Sequence, residues 1–423
     1  MPGTASRPAL DALKLDRLRG LVRTILPHNR FYADKLARVD TAGIKSLADL
    51  AAWPFTSKEE LVEAGADGRP ANLTWPADRY VRCHQTSGTH GRPLPAFDTA
   101  ADWAWWMECW REILARGGVG PGDRVLVAAS FGPYAGFWSG FEGALAAGAM
   151  AIPGGGLSTR GRIELARSLR ATVLLATPSY ALHLAEVAAA DKVAPASLGV
   201  RLLIVAGEPG GSVPAVRRRL ADLWAAEVLD HAGATEVGPW GVGDLRGPGL
   251  DVLEPWFHPE FISTETGAAA GQGELSELVL TTLGRAGAPV IRYRTGDLVR
   301  PQWPSADDVT AGACPWVRLA GGILGRTDDM LVIRGVNVFP GAIDDIVRGF
   351  PEVVEYRVVV RGRDSLDELV VEIEDRLAAP ERVAREFQVR LGLRVDVQAV
   401  PPGSLPRFEG KARRIVDERR HQS

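Results

Sequence analysis

Cysteine is nearly missing from this chain. Cys83, Cys109 and Cys314 are the only three in 423 residues, and no two form a CxxC pair. An odd, unpaired count argues against a disulfide framework. Cys314 is followed by Pro315 and Trp316, so no second thiolate stands nearby and no zinc is expected. The cytoplasm is the expected compartment. An excess of one charge is missing too: 49 Lys and Arg stand against 52 Asp and Glu, a net charge of −3. Nothing there favours a nucleic-acid partner. No stretch approaches ~18 uninterrupted apolar residues, so no membrane partner is expected. Met1 to Asp16 hold no apolar h-region, so no secretory signal is expected. No internal repeat or low-complexity tract is evident, which leaves a repetitive interaction module little support.

Tryptophan, by contrast, is abundant. Four of the twelve, Trp103, Trp105, Trp106 and Trp110, fall in one segment. That pattern fits a helix burying large rings in a core, with walling of an aromatic pocket as the other reading. The chain is 46% hydrophobic, ordinary for a globular protein, and long enough to predict two or more domains.

Leu15, Leu18, Val22 and Ile25 recur at helical spacing, and Pro27 marks the end of that helix. Ser57 is placed to cap a helix that opens with Glu59 and Glu60. From Gly122 strands and helices alternate. Strands are expected at 124–128, 149–152, 172–176 and 202–206, and helices at 136–147 and from Ser158 or Thr159 to Arg170. This rhythm predicts an α/β fold with a mostly parallel sheet flanked by helices. Strands at 278–282 and 290–293 predict a β-rich subdomain. A small α+β unit follows, with strands at 353–360, 368–374 and 394–400 and a helix at 380–391.

The loop Thr86-Ser87-Gly88-Thr89-His90-Gly91-Arg92-Pro93 follows a short strand at 80–83. Glycines let backbone amides approach an anion, hydroxyls add donors, and arginine offers a planar fork. The loop reads as a polyphosphate cradle, although the same residue types also dominate ordinary turns. It does not fit GxxxxGK[ST], so a P-loop is not implied. Further motifs follow in order. They are Ala206-Gly207-Glu208-Pro209, His231-Ala232-Gly233-Ala234-Thr235-Glu236, Tyr293-Arg294-Thr295-Gly296-Asp297-Leu298, Gly325-Arg326-Thr327-Asp328-Asp329 and Leu405-Pro406-Arg407-Phe408-Glu409-Gly410-Lys411. A carboxylate beside a hydroxyl, as in Thr235-Glu236, offers a hard ligand for Mg²⁺ and a donor to phosphate. An ammonium such as Lys411 can reach a carboxylate and an α-phosphate together.

The series resembles the adenylate-forming superfamily, and within it the phenylacetate–CoA ligase branch, from near Leu15 to near Asp417. The resemblance implies an N-terminal adenylation domain (1–325) that binds ATP and acid. A small mobile C-terminal lid (326–423) would rotate about the hinge Asp328. Thr86, Ser87, Gly88, Thr89, His90, Gly91, Arg92, Gly207, Glu208, Pro209, His231, Ala232, Asp297 and Arg326 would bind the nucleotide. Asp297 would take the ribose hydroxyls, Thr235 the α-phosphate and Glu236 the Mg²⁺. Lys411 would drive adenylation, and 335–340 would border a CoA channel. His231 would stack on adenine or bond to a substrate hydroxyl or amino group. Phe131, Tyr134, Phe137, Trp138, Gly233, Pro239 and Trp240 would wall the acid. Flat aromatic walls suit an aryl acid, of benzoate, hydroxybenzoate, anthranilate or arylacetate type.

The expected reaction joins ATP and such an acid to an acyl-adenylate, which passes its acyl group to CoA with release of AMP. The alternatives are transfer to a carrier-protein thiol or an amine, and a non-catalytic nucleotide-binding protein on the same fold. The acid's identity and the choice between monomer and homodimer stay open.

Overall fold

The computed structural model describes residues 6–62, 68–86, 93–328, 330–333, 336–363, 366–408 and 412–418. Ser87 to Arg92, Asp329, Gly335 and Glu409 to Lys411 lie outside these residues, so the structure places neither the centre of the glycine–hydroxyl loop nor the lysine.

A nine-stranded sheet forms the centre of the larger part. The strands Arg124–Val127, Met150–Pro153, Val173–Ala176, Leu202–Ala206 and Glu227–Ala234 pair in parallel. Their sequences are apolar on both faces because both faces are covered. Val125, Val127, Val173, Leu175, Leu202 and Ile204 enter one core, while Leu126, Leu174, Leu203 and Val205 enter the other. The period of two is the pleat itself. Beyond Glu227–Ala234 the sheet turns antiparallel through Gly238–Asp244 and Gly247–Val252. These strands are rich in glycine and carry little β-propensity, and the sequence reading passed over them.

Helix Ala100–Arg116 supplies the tryptophans, all four buried. Thr99 caps it with a reciprocal Asp102 bond. Trp110 threads between this helix and helix Ala135–Ala146. A Cβ added at Gly143 would lie 2.6 Å from the Trp110 side chain, so glycine there is a packing requirement.

A second sheet of four strands carries Phe257–Ser263, Ser276–Thr282, Tyr293–Val299 and Gly325–Arg326. The strand expected at 290–293 begins instead at Tyr293 and runs to Val299. Arg292 just before it has φ +49°, which breaks the extended run. The N-terminal helix Arg7–Ile25 belongs to a smaller core with Leu283 and Ile291.

The C-terminal strands Val353–Arg363, Leu366–Asp375, Asp396–Ala399 and Ile415–Asp417 form one sheet. With helices Pro340–Arg348 and Pro380–Leu391 they enclose a separate core that starts at Leu331. The α/β reading with a β-rich region and an α+β C-terminal unit therefore holds.

Candidate active site

Two paired strands flank the glycine–hydroxyl loop in the chain. Strand Tyr80–Gln85 pairs antiparallel with Pro95–Thr99. Thr86 closes the mouth: its amide donates to the Leu94 carbonyl and its Oγ1 accepts from the Leu94 amide, both at 2.9 Å. A small cavity of about 10 Å³ beside this mouth is lined by Leu94, Pro95, Ala96, Arg285 and Glu236. The structure thus brings the base of the loop and the Thr235-Glu236 motif together.

Arg285 is the residue the sequence reading missed. Its Nε donates to Asp98 on the second hairpin strand at 2.7 Å, and its Nη1 donates to the Glu236 carbonyl at 2.6 Å. Both partners of the Arg285–Asp98 pair are fully buried. Burial pushes the Asp98 carboxyl up against the opposing pull of Arg285. One guanidinium therefore fixes the loop strand against the carboxylate motif. Nothing local marks it, since Gly284-Arg285-Ala286-Gly287 reads as a plain turn.

The Glu236 side chain is oriented by Tyr293, whose Oη donates to Oε1 at 3.0 Å. Burial, then the nearby Glu236 charge, pushes the Tyr293 phenol well above its ordinary value, so it stays a donor. Oε2 takes no hydrogen bond among the described residues. One free hard oxygen, on the residue that follows Thr235 in the chain, suits Mg²⁺ held mainly by substrate phosphates. No group of three or more His, Cys, Asp or Glu side chains placed to hold a metal occurs among the described residues.

Tyr293 opens the strand that carries Asp297. Asp297 stands opposite Arg326 across an antiparallel pair, with Arg326 Nη1 3.2 Å from Oδ1. Arg326 also donates to Asp328 at 2.9 Å, joining the ribose candidate to the expected hinge. Gly296 has φ +76°, and a Cβ there would lie 2.9 Å from Arg326 Nη2, so glycine is needed for this approach.

Gly207, Glu208 and Pro209 follow the carboxyl end of strand Leu202–Ala206, and Ala206 pairs with His231 on the next strand. Ligands of open α/β sheets gather at such strand ends. Glu208, however, is already engaged. Its carboxylate accepts from the Ser179 amide at 2.8 Å and from the Ala412 amide at 2.6 Å.

His231 departs from the stacking expectation. Its ring lies against Trp110, centroids 4.6 Å apart, and Nδ1 bonds to the Gly241 carbonyl at 2.8 Å. Only 7% of the residue is exposed, so no ring face is open to a base. Burial lowers its pKa to about 4, and the ring is neutral. Because a carbonyl only accepts, Nδ1 carries the proton and Nε2 is left as an acceptor. Asp230 beside it is pushed up to about 6 by burial, against the Ser212 hydroxyl and the His231 amide.

These neighbours have opposite pH signatures. In the unfolded chain histidine titrates near ~6.5 and aspartate near ~3.9. Between pH 6.5 and 4 the unfolded state alone protonates His231, so stability falls as pH falls. Between pH 6 and about 3.9 the folded state alone protonates Asp230, so stability rises as pH falls. The two slopes oppose. Relative to wild type, Asp230→Asn is expected to lose roughly 2 kcal/mol between pH 6 and 4, and His231→Phe to gain roughly as much. Denaturant titrations at stepped pH check this; slopes of the same sign in both variants would contradict it.

The acid-wall candidates divide. Helix Ala135–Ala146, which carries Phe137, packs against strand Glu227–Ala234, which carries Gly233. A Cβ at Gly233 would lie 3.2 Å from Pro239 Cα, so those two also meet. Phe131 and Trp138 pack at 4.7 Å, and Tyr134 is 48% exposed. Trp138 opens onto a different cleft, of about 280 Å³, lined also by Arg82, His84, Trp103 and Glu142. That cleft shares no lining residue with the one at Glu236. Trp240 is corrected: it is 1% exposed in the main core and offers no open wall.

This geometry agrees with what the chain resembles. The AMP-binding enzyme family matches residues 23–256, and its C-terminal domain family matches residues 335–419. The chain belongs to the AMP-binding enzymes, the adenylate-forming ligases. A phenylacetate–coenzyme A ligase of Thermus thermophilus is 33% identical over 99% of this chain and 98% of that protein. The chain therefore sits in the phenylacetate–CoA ligase branch. A 2-hydroxyisobutyryl-CoA ligase, 29% identical, matches in its postadenylation state with a TM-score of 0.91, covering 98% of this chain and 91% of that one. The same ligase with 2-HIB-AMP and CoA, in its thioesterification state, matches at 0.71 over 100% and 95% of the two chains.

Proposed function

We propose that this chain is an AMP-forming acid–CoA ligase whose acid is aromatic. ATP and the carboxylate give an acyl-adenylate and pyrophosphate, and the CoA thiol then displaces AMP. The observation that carries the reading is the Arg285 bridge, which ties strand Pro95–Thr99 to Glu236, with Tyr293 leading on to Asp297 and Arg326. Thr86 and the loop Ser87 to Arg92 would hold the phosphates, together with Thr235. Glu236, oriented by Tyr293, would hold Mg²⁺, which neutralises phosphate charge when bound. Asp297 and Arg326 would hold the ribose. Gly207, Pro209 and Ala232 would border the base through backbone atoms. Lys411 would supply positive charge to the oxygens that gain charge as the acid attacks. The boundary falls at 326–328, with Asp328 as hinge, and 335–340 borders the CoA path.

The acid would lie between helix Ala135–Ala146 and the His231–Gly233 strand end. There the acceptor nitrogen of His231 favours an acid bearing a hydroxyl or amino donor. In a panel of aryl acids assayed for pyrophosphate release, with and without CoA, hydroxybenzoates or aminobenzoates are expected to exceed benzoate in kcat/KM. His231→Phe is expected to reduce that preference by about tenfold, because a buried acceptor left unpaired is costly. An unchanged preference in the variant would remove His231 from recognition. Consumption of the adenylate by a carrier protein but not by CoA would overturn the acceptor assignment.

A further inference from the structure

We propose that Glu208 and Asp345 are positioning residues that hold the C-terminal lobe in the orientation used for adenylation. Glu208 spends its carboxylate on the lobe and not on the base. One oxygen accepts from the Ser179 amide at the start of helix Pro178–Ala190, and the other accepts from the Ala412 amide. Ala412 is the chain neighbour of Lys411, so what holds Ala412 limits where the lysine ammonium can reach. Arg414 reinforces the contact by donating to the Ser179 hydroxyl at 2.9 Å.

This segment is also anchored within its own lobe. Arg414 also donates to Glu355 at 2.7 Å, and Glu355 accepts from Arg348 at 2.9 Å. Burial works against the Glu355 charge, yet Arg348 and Arg414 together hold its pKa at about 2. Arg414 cannot swing away without leaving that buried carboxylate short of a partner.

A second contact lies on helix Pro214–Trp224. Asp345 Oδ1 accepts from the Ala215 amide in its first turn at 2.9 Å. A carboxylate there satisfies an amide that the helix leaves unbonded and meets the positive end of its dipole. Arg219 of the same helix donates to the Val353 carbonyl at 3.0 Å. The two carboxylates thus sit at two separate places on one interface and face in opposite directions across it, Glu208 from the larger part and Asp345 from the smaller.

The arrangement rests on the ligase reading, in which adenylation and thioester formation use different lobe orientations. Contacts made in one orientation only shift the population toward it by their own free energy. Glu208→Gln keeps the volume but replaces one of two acceptor oxygens with a donor. Asp345→Asn does the same at the helix, touching no atom assigned to substrate. Each variant is expected to slow acid-dependent pyrophosphate release by about tenfold, and the pair by more. Thioester formation is then measured from CoA and the presynthesised adenylate of whichever panel acid wild type uses fastest. Asp345→Asn is expected to leave that rate unchanged. Equal losses in both half-reactions, or no loss in either, overturn the positioning role. If wild type releases pyrophosphate with no acid, the ligase reading fails and this proposal with it.

Discussion

Lys411→Ala is expected to lower acid-dependent pyrophosphate release by ~10²–10³-fold, while thioester formation from presynthesised adenylate and CoA persists. The magnitude is that of removing one preorganised charge from oxygens that become more negative in the transition state. The ammonium has no duty once pyrophosphate has gone, so the second half-reaction isolates its role. Lys411→Arg keeps the charge but spreads it over a planar fork, and is expected to recover only part of the rate. Pyrophosphate release measured at saturating ATP decides the matter. An unchanged rate in the alanine variant would show that the basic C-terminal segment takes no part in catalysis.

Arg285→Met carries the largest expected effect on stability. Asp98 is fully buried, and its Oδ2 has no hydrogen-bond partner among the described residues. Its other oxygen is held by Arg285 and by the Trp106 indole at 3.3 Å. Losing the guanidinium leaves a buried carboxylate with one weak donor, which costs ~3–5 kcal/mol. It also releases the Glu236 carbonyl, so KM for ATP is expected to rise in whatever fraction stays folded. The double variant Asp98→Asn, Arg285→Met removes the stranded charge and is expected to regain most of the stability without regaining the KM. Thermal unfolding and ATP titration on the three proteins separate the two effects. A single variant as stable as wild type would mean that the ion pair holds nothing together.

What could be read from the chain alone was whatever depends on near neighbours. The alternation of apolar residues in 173–176 and 202–206 reflects a pleat buried on both faces, and it needs no knowledge of what covers them. Pro380 and the leucine at 391 bound a helix for equally local reasons, fixed φ at one end and Gly392 beyond the other. The ordered motifs likewise carry their chemistry in their own residue types. His231 shows the limit. Its titratable ring was visible in the sequence, but its place was set by Trp110, more than a hundred residues earlier, which encloses it. Glu208 read as one of the nucleotide-binding candidates until the fold set the Ala412 amide against it. Arg285 gave no sign at all, because its partners Asp98 and Glu236 lie far from it in the chain, and Asp98 stands in no motif. Residue type fixes what a group can do. Which group it meets depends on the path of the whole chain, because burial and distance are summed over every segment packed around it.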